Sequence, residues 1–173
     1  DVIDACVNTL SADLCAAVPR TSSGRVGLVN NQLQNIGTIE SSGYDLAVNY
    51  VSPETDYGHV MLSFTATHLD DYKEITANPD GTSATNDRTG THTDETFPRA
   101  FPDWRTVTSV DWTMARWSAT MAFRWVDDMD LDGGENLDSV MFSDLQIRYN
   151  PPVADDGVML TVGFNNIFDE DPP

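Results

Sequence analysis

Four tryptophans in one short stretch constrain this chain most. Trp104 and Trp112 are eight residues apart, Trp117 and Trp125 are eight residues apart, and the residues between them alternate with period two. On the tryptophan face lie Thr106, Thr108 and Val110, then Ala119, Met121 and Phe123. The opposite face reads Arg105, Val107, Ser109 and Asp111, then Ser118, Thr120, Ala122 and Arg124. Each pair spans about 27 Å of extended strand, or roughly 21 Å along a membrane normal at a tilt near 40°. That is the height of an apolar band with an aromatic girdle at each rim. A turn at Met114 and Ala115 sets Trp112 opposite Trp117, Thr108 opposite Met121 and Trp104 opposite Trp125, so one register serves both girdles. Soluble antiparallel sheets alternate as cleanly, so a soluble β-sandwich stands beside the membrane-spanning hairpin.

Mean hydropathy is −0.33 and formal charge −19. No run approaches the ~18 apolar residues of a transmembrane helix. That excludes helical spans only, because a barrel exposes alternate residues to lipid and keeps its average hydropathy low. Nine Lys and Arg against 28 Asp and Glu argue against nucleic acid, whose phosphates need a basic face.

The alternation recurs along the chain. Leu46, Val48 and Tyr50 alternate with Asp45, Ala47 and Asn49; Val60, Leu62, Phe64 and Ala66 form another apolar row. Met141, Leu145, Ile147 and Tyr149 face away from Phe142, Asp144, Gln146 and Arg148, and Val158, Leu160, Val162 and Phe164 complete the pattern. Six strands are expected near 38–50, 58–71, 99–113, 116–128, 139–150 and 157–168, with a weaker one near 24–33. Their connections sort by length. Turns at Ser52 to Tyr57, Thr113 to Arg116 and Pro151 to Asp156 are short; Lys73 to Phe97 and Met129 to Asp138 are long and polar. Short turns on one rim and long loops on the other are the habit of an outer-membrane barrel. The expected fold is all-β, an antiparallel up-and-down transmembrane β-barrel segment. Both ends of 1–173 then fall at the extracellular rim. Asp171, Pro172 and Pro173 cannot make a membrane strand, so an internal fragment of a larger barrel is expected.

The closing segment Val162-Gly163-Phe164-Asn165-Asn166-Ile167-Phe168-Asp169-Glu170-Asp171-Pro172-Pro173 resembles a near-C-terminal signature of TonB-dependent receptors of the Gram-negative outer membrane. In that signature an outward strand ends in an Asn-apolar-Phe-Asp element. The stretch Asn35-Ile36-Gly37-Thr38-Ile39-Glu40-Ser41-Ser42-Gly43-Tyr44-Asp45-Leu46 is similar to an earlier element of the family, in which a Ser/Thr-Gly step precedes an acidic residue and a strand. Both occur in the family's order, so the resemblance covers essentially the whole chain.

The resemblance implies six or seven strands of a 22-stranded barrel closed by an N-terminal plug. Import is driven by a TonB complex. The implied ligand is a scarce nutrient bound outside: ferric siderophore, cobalamin, haem or carbohydrate. Residues 1–173 depart from the complete pattern: they show no plug domain, no TonB box and no final strand ending in an aromatic residue. Expected partners are outer-membrane lipid, the TonB complex through a plug domain, and a small nutrient at the extracellular side. No cofactor is implied.

Cys6 and Cys15 fall on the extracellular side of this topology, where a local disulfide is the natural reading. The family often carries such a pair in this loop; free thiols are the alternative, and nearby histidines for a zinc site are lacking. Asp128, Asp130 and Asp132, followed by Gly133, match the first half of a calcium loop. The second half fails, because Ser139 stands where a bidentate Glu is needed and Glu135 replaces an apolar residue, so a solvated acidic loop is expected. In the expected register Arg105 stands beside Arg124 inside the barrel, and Asp144 has the facing to reach Arg124. This lumenal patch either touches substrate or plug or satisfies only its own members.

Enzyme chemistry finds little support. His59, His68 and His92 have no metal-ligand spacing, and a lone His at a turn, strand end or loop is usually solvated. Ser109, Ser118 and Ser143 are strand residues without a nucleophile elbow. Besides the uptake receptor, a passive pore or adhesin-like barrel and a soluble β-sandwich binding module are the other classes. A plug and TonB box upstream in the parent gene would separate the first two, and extraction only by detergent separates both from the third.

Overall fold

The computed structural model describes residues 2–27, 29, 37–78, 82–93, 99–131, 134–153 and 157–173. The chain divides into two units, residues 1–40 with 73–87, and residues 41–72 with 88–173.

The first unit opens with two short helices that the alternation did not announce, α1 (Val2–Thr9) and α2 (Ala12–Ala16). Eight residues are too few for a self-sufficient helix in water. Asp4 in the first turn favours the helix dipole, and the Leu10 N–H closes the last turn on the Cys6 carbonyl at 3.0 Å. A disulfide joins Cys6 to Cys15 across the pair, with the Cα atoms 4.8 Å apart. Of the strand expected near 24–33, residues 24–27 carry one isolated bridge, Arg20 to Val26, and residues 28 and 30–33 lie outside the described residues. The same unit holds a hairpin in which Lys73–Ala77 pairs antiparallel with β3 (Ser83–Asp87).

The second unit is built on a large sheet. The sheet's strands are β1 (Gly37–Val51), β2 (His59–Ala77), β6 (Trp104–Met114), β7 (Trp117–Val126), β10 (Val140–Tyr149) and β11 (Leu160–Phe164), adjacent in that order, with residues 37–40 of β1 and 73–77 of β2 counted in the first unit. The pairs from β2 onward are antiparallel, as up-and-down connectivity requires. Partners across the strands keep the expected faces. Phe64, Thr108, Phe123 and Ser143 form one outward row; Leu62, Val110, Met121, Leu145 and Phe164 form the next. The long apolar rows of the sequence thus become one continuous face.

Among the described residues that face is open along its edge strands, half-buried at Phe64, Met121 and Leu145, and closed at Ala66 and Ser143. Leu46 is 55% exposed, Val162 56% and Phe164 50%, and the buried hydrophobic residues among those described are Val18, Ala66, Met129 and Val140. A soluble sandwich would lay a second sheet on this face and bury it. Among the described residues no helix is long and apolar enough to cross a membrane, which leaves strand crossings untouched.

The register differs from the expected one by two residues. Met114 pairs with Trp117, Trp112 with Ala119, Thr108 with Phe123 and Thr106 with Trp125, so no tryptophan stands opposite another. The cause is the turn. Ala115 and Arg116 alone connect the strands, with Ala115 at φ 50°, and a two-residue connection with a positive φ matches the strand twist better than the four-residue loop expected. A shift of two preserves every facing. It also sets Trp112 against Ala119 and Trp125 against Thr106 in place of a second indole.

The expected long loops are not featureless. β2 continues to Ala77, past the expected end at 71. Four short strands, β4 (Thr91–Thr93), β5 (Arg99–Phe101), β8 (Met129–Leu131) and β9 (Asn136–Leu137), form a second sheet in the order β5-β4-β8-β9. Its β4–β8 contact is parallel. The strand expected at 99–113 is therefore two strands. They part at Pro102, which has no N–H to give a ladder. The strand expected at 157–168 is short for a similar local reason: the chain turns at Asn166, φ 50°.

Candidate functional site

The polar face of the large sheet carries the charged residues. Asp45 accepts a hydrogen bond from Thr67 Oγ1 at 2.7 Å, and Asp111 accepts from Thr120 Oγ1 at 2.6 Å and Ser109 Oγ at 3.2 Å. Arg105 faces Thr67 on one side and Val126 on the other, while Arg124 faces Val107 and Phe142. The expected side-by-side placement of Arg105 and Arg124 is thus corrected to an offset, which spares the like charges direct opposition. Asp144 stands opposite Ala122, not Arg124, yet reaches Arg124 diagonally: Oδ2 lies 2.9 Å from Nη1. The other carboxylate oxygen accepts the backbone N–H of Asn166 at 2.9 Å. Asp144 therefore has a second duty absent from the sequence reading, as anchor of the turn that ends β11.

Both rims of the apolar face are aromatic. At the short-turn rim, Trp117 stacks on Tyr149 with ring centres 4.4 Å apart, and Trp112 Nε1 donates to the Tyr57 carbonyl at 2.9 Å. Gly58, at φ 85°, closes that turn. A Cβ there would come within 2.0 Å of the Thr113 carbonyl oxygen, so glycine is required twice over. At the opposite rim, Trp104 stacks on His68 at 4.3 Å, and Tyr44 lies parallel to the same imidazole at 6.3 Å. His68 Nδ1 is 3.0 Å from the Asp103 carbonyl oxygen. His68 is then no solvated strand-end residue. It is the middle plate of an aromatic stack across three strands. Gly43 permits the approach of β1 to β2 here: a Cβ would stand 2.2 Å from the His68 carbonyl oxygen. Of the other histidines, His59 Nδ1 lies 2.8 Å from Glu54 Oε2, and His92 sits in β4.

Beyond the His68 rim the surface is acidic. Asp127 follows β7, and burial pushes its carboxyl above the usual range. The negative charges of Asp128 and Asp103 add to the rise, while the Asp128 backbone N–H, 3.1 Å away, works against it. Of the weak calcium candidates, Asp128 is held by Asn136 Nδ2 at 3.5 Å, Asp130 is extended in β8, and Asp132 lies outside the described residues. Among the described residues no group of three or more His, Cys, Asp or Glu converges to hold a metal ion.

The closing signature is a tied turn. The Ile167 N–H donates to the Ser143 carbonyl at 2.8 Å, Asn166 Nδ2 donates to the Glu170 carbonyl at 2.9 Å, and the Glu170 N–H donates to Asn166 Oδ1 at 3.1 Å. An asparagine suits this place because its short amide bonds locally and tolerates positive φ. The signature's Asn could have announced the turn; nothing local announced its partner Asp144, 22 residues earlier.

Comparison with curated proteins and with solved structures finds no match. The family model described as TonB dependent receptor-like, beta-barrel, matches residues 3–167, nearly the whole chain. With its apolar face open along the edge strands, two aromatic rims and polar opposite wall, the chain belongs to the TonB-dependent receptor β-barrel family, transporters of the Gram-negative outer membrane.

Proposed function

We infer that residues 1–173 form part of the wall of a receptor for energised uptake of a scarce nutrient: a ferric siderophore, cobalamin, haem or a carbohydrate. The observation that carries this reading is the apolar face between two aromatic rims, open along its edge strands, which a water-soluble module would bury. On this reading the short turns are periplasmic and the acidic, long-loop rim is extracellular. Trp112 and Trp117 lie in the inner girdle, Trp104 and Trp125 in the outer. The polar wall with Arg105, Arg124 and Asp144 faces the lumen. Its charges are mostly satisfied within the wall, so it serves as a polar lining and not as chemical machinery. The reading assigns these residues to a barrel segment, and coupling to the TonB complex to a plug domain.

The test is accumulation of candidate nutrients by cells expressing the full-length protein, with and without TonB. Uptake that disappears without TonB supports the reading. Uptake indifferent to TonB would make the protein a passive pore, and recovery in the soluble fraction without detergent would remove it from the membrane altogether.

A further inference from the structure

Between Asp13 and Glu40 the chain has no acidic residue, although 28 of its 173 residues are Asp or Glu, and it places Arg20 and Arg25 there. The start of this stretch and the helix α1 frame a cavity of about 660 Å³, whose walls include the Cys6–Cys15 disulfide, Val7, Leu10, Val18 and Arg20. That volume suits a small ligand. The lining is apolar except at Arg20, and no carboxylate is among the described residues in it. The walls are tied in advance of any occupant. The disulfide joins α1 to α2, and the Val18 N–H donates to the Cys15 carbonyl at 3.1 Å. Residues 20–26 fold back on themselves: the Thr21 N–H donates to the Arg25 carbonyl at 2.8 Å, the Gly24 N–H to the Thr21 carbonyl at 2.8 Å, and Arg20 Nη1 to the Gly24 carbonyl at 3.2 Å. Arg20 is therefore exposed but held at the lip, and a wall formed beforehand lowers the cost of binding.

Leu10 is an unfavourable residue where it stands. It follows α1 at φ 53°, a left-handed conformation that glycine or asparagine takes at helix ends and that strains a leucine. At 80% exposure its side chain recovers little of that strain by packing within the fold. An apolar body in the cavity would cover it, together with Val7, itself 58% exposed. The charge of the occupant follows from Arg20. One guanidinium offsets one negative charge, so in a chain of net charge −19 a carboxylate fits better than a dianionic phosphate. We propose that this cavity binds a small amphiphilic carboxylate. Its apolar body lies against Val7, Leu10, Val18 and the disulfide, and its carboxylate meets Arg20. On the uptake reading above, on which its role rests, this is a capture site outside the cell for an apolar, acidic part of the nutrient.

The test uses the full-length protein in nanodiscs, with empty nanodiscs as the blank, and equilibrium dialysis of two probes of one shape, 1-naphthaleneacetate and its neutral amide. Both bind, with a preference for the anion of about threefold, the size of effect an exposed guanidinium gives. Arg20→Gln removes the preference and leaves the affinity for the amide unchanged. Leu10→Gly relieves the strained φ, so the segment keeps its fold, yet it weakens both probes about tenfold. Equal affinity for the two probes in the unaltered protein, or affinity indifferent to Leu10→Gly, would overturn the proposal. Nutrient uptake with and without TonB is measured on the same protein. No probe binding beside TonB-dependent uptake overturns this site alone; probe binding beside uptake that ignores TonB overturns the energised-uptake reading and leaves the site.

Discussion

Met121 is the sharpest place to test which face of the sheet meets lipid. It lies four residues from Trp117 and four from Trp125, about 13 Å of strand each way and roughly 10 Å along the normal after a tilt near 40°. Neighbours on its face are Val110 and Leu145, so no carboxylate stands across from it. Met121→Arg places a guanidinium near the bilayer midplane, which costs about 2–4 kcal/mol in a barrel. That moves the folding equilibrium by about two orders of magnitude. Thr120, the next residue, points to the opposite wall beside Asp111 and Gln146. Thr120→Arg gives up one hydrogen bond to Asp111 and gains an opposite charge, a change held to within about 1 kcal/mol. Ala119→Arg, nearer the short-turn rim, falls between the two. Urea titration of the protein folded into lipid vesicles, read by tryptophan emission, gives the three free energies. If Thr120→Arg costs as much as Met121→Arg, or more, the assignment of faces is wrong.

Gly58→Ala strains a position with φ 85° and drives a Cβ into the Thr113 carbonyl, so a loss of about 1–3 kcal/mol in the same titration is expected. Replacing Cys6 and Cys15 by Ser opens a short loop. Expected are a local loss of about 2–3 kcal/mol and faster cleavage of residues 2–20 by added protease on intact cells, with the barrel itself unaffected. The Asp127 carboxyl titrates above its ordinary value of 3.8, so its favourable contribution is complete below that pH and is lost as the pH rises through the raised value. Asp127→Asn therefore stabilises the protein at pH 7 and has no effect at low pH. A pH series of unfolding midpoints checks the sign, and an Asn variant less stable at pH 7 contradicts it.

The facing of nearly every strand residue was legible because alternation is local: side-chain direction at Met121 or Leu145 depends only on parity. Register was not legible, because it depends on how Ala115 and Arg116 turn, and hydropathy is blind to a shift of two. That shift hid the Asp111–Thr120 hydrogen bond, since the expected register set Asp111 opposite Ser118. The β4–β8 contact joins residues 91–92 to 130–131 in parallel, a pairing with no local signature. Helices α1 and α2 were missed because eight and five residues are too short to carry a readable helical period. Within the site, the facing of Asp144 was legible, but the register expected to set it beside Arg124 is not the one formed and the pair meets diagonally, while its hold on Asn166 needed the turn to be seen in space.

The parallel contact between β4 and β8 has a consequence for how such a surface can change over generations. Two separate stretches of chain, one before β6 and one after β7, are stitched into one small sheet, with the Asp130 N–H on the Gly90 carbonyl at 2.8 Å. Neither stretch can be lengthened, shortened or exchanged without leaving the other's backbone groups unmatched. Variation at this end of the molecule should therefore arrive in pairs, the two loops inherited together as one module.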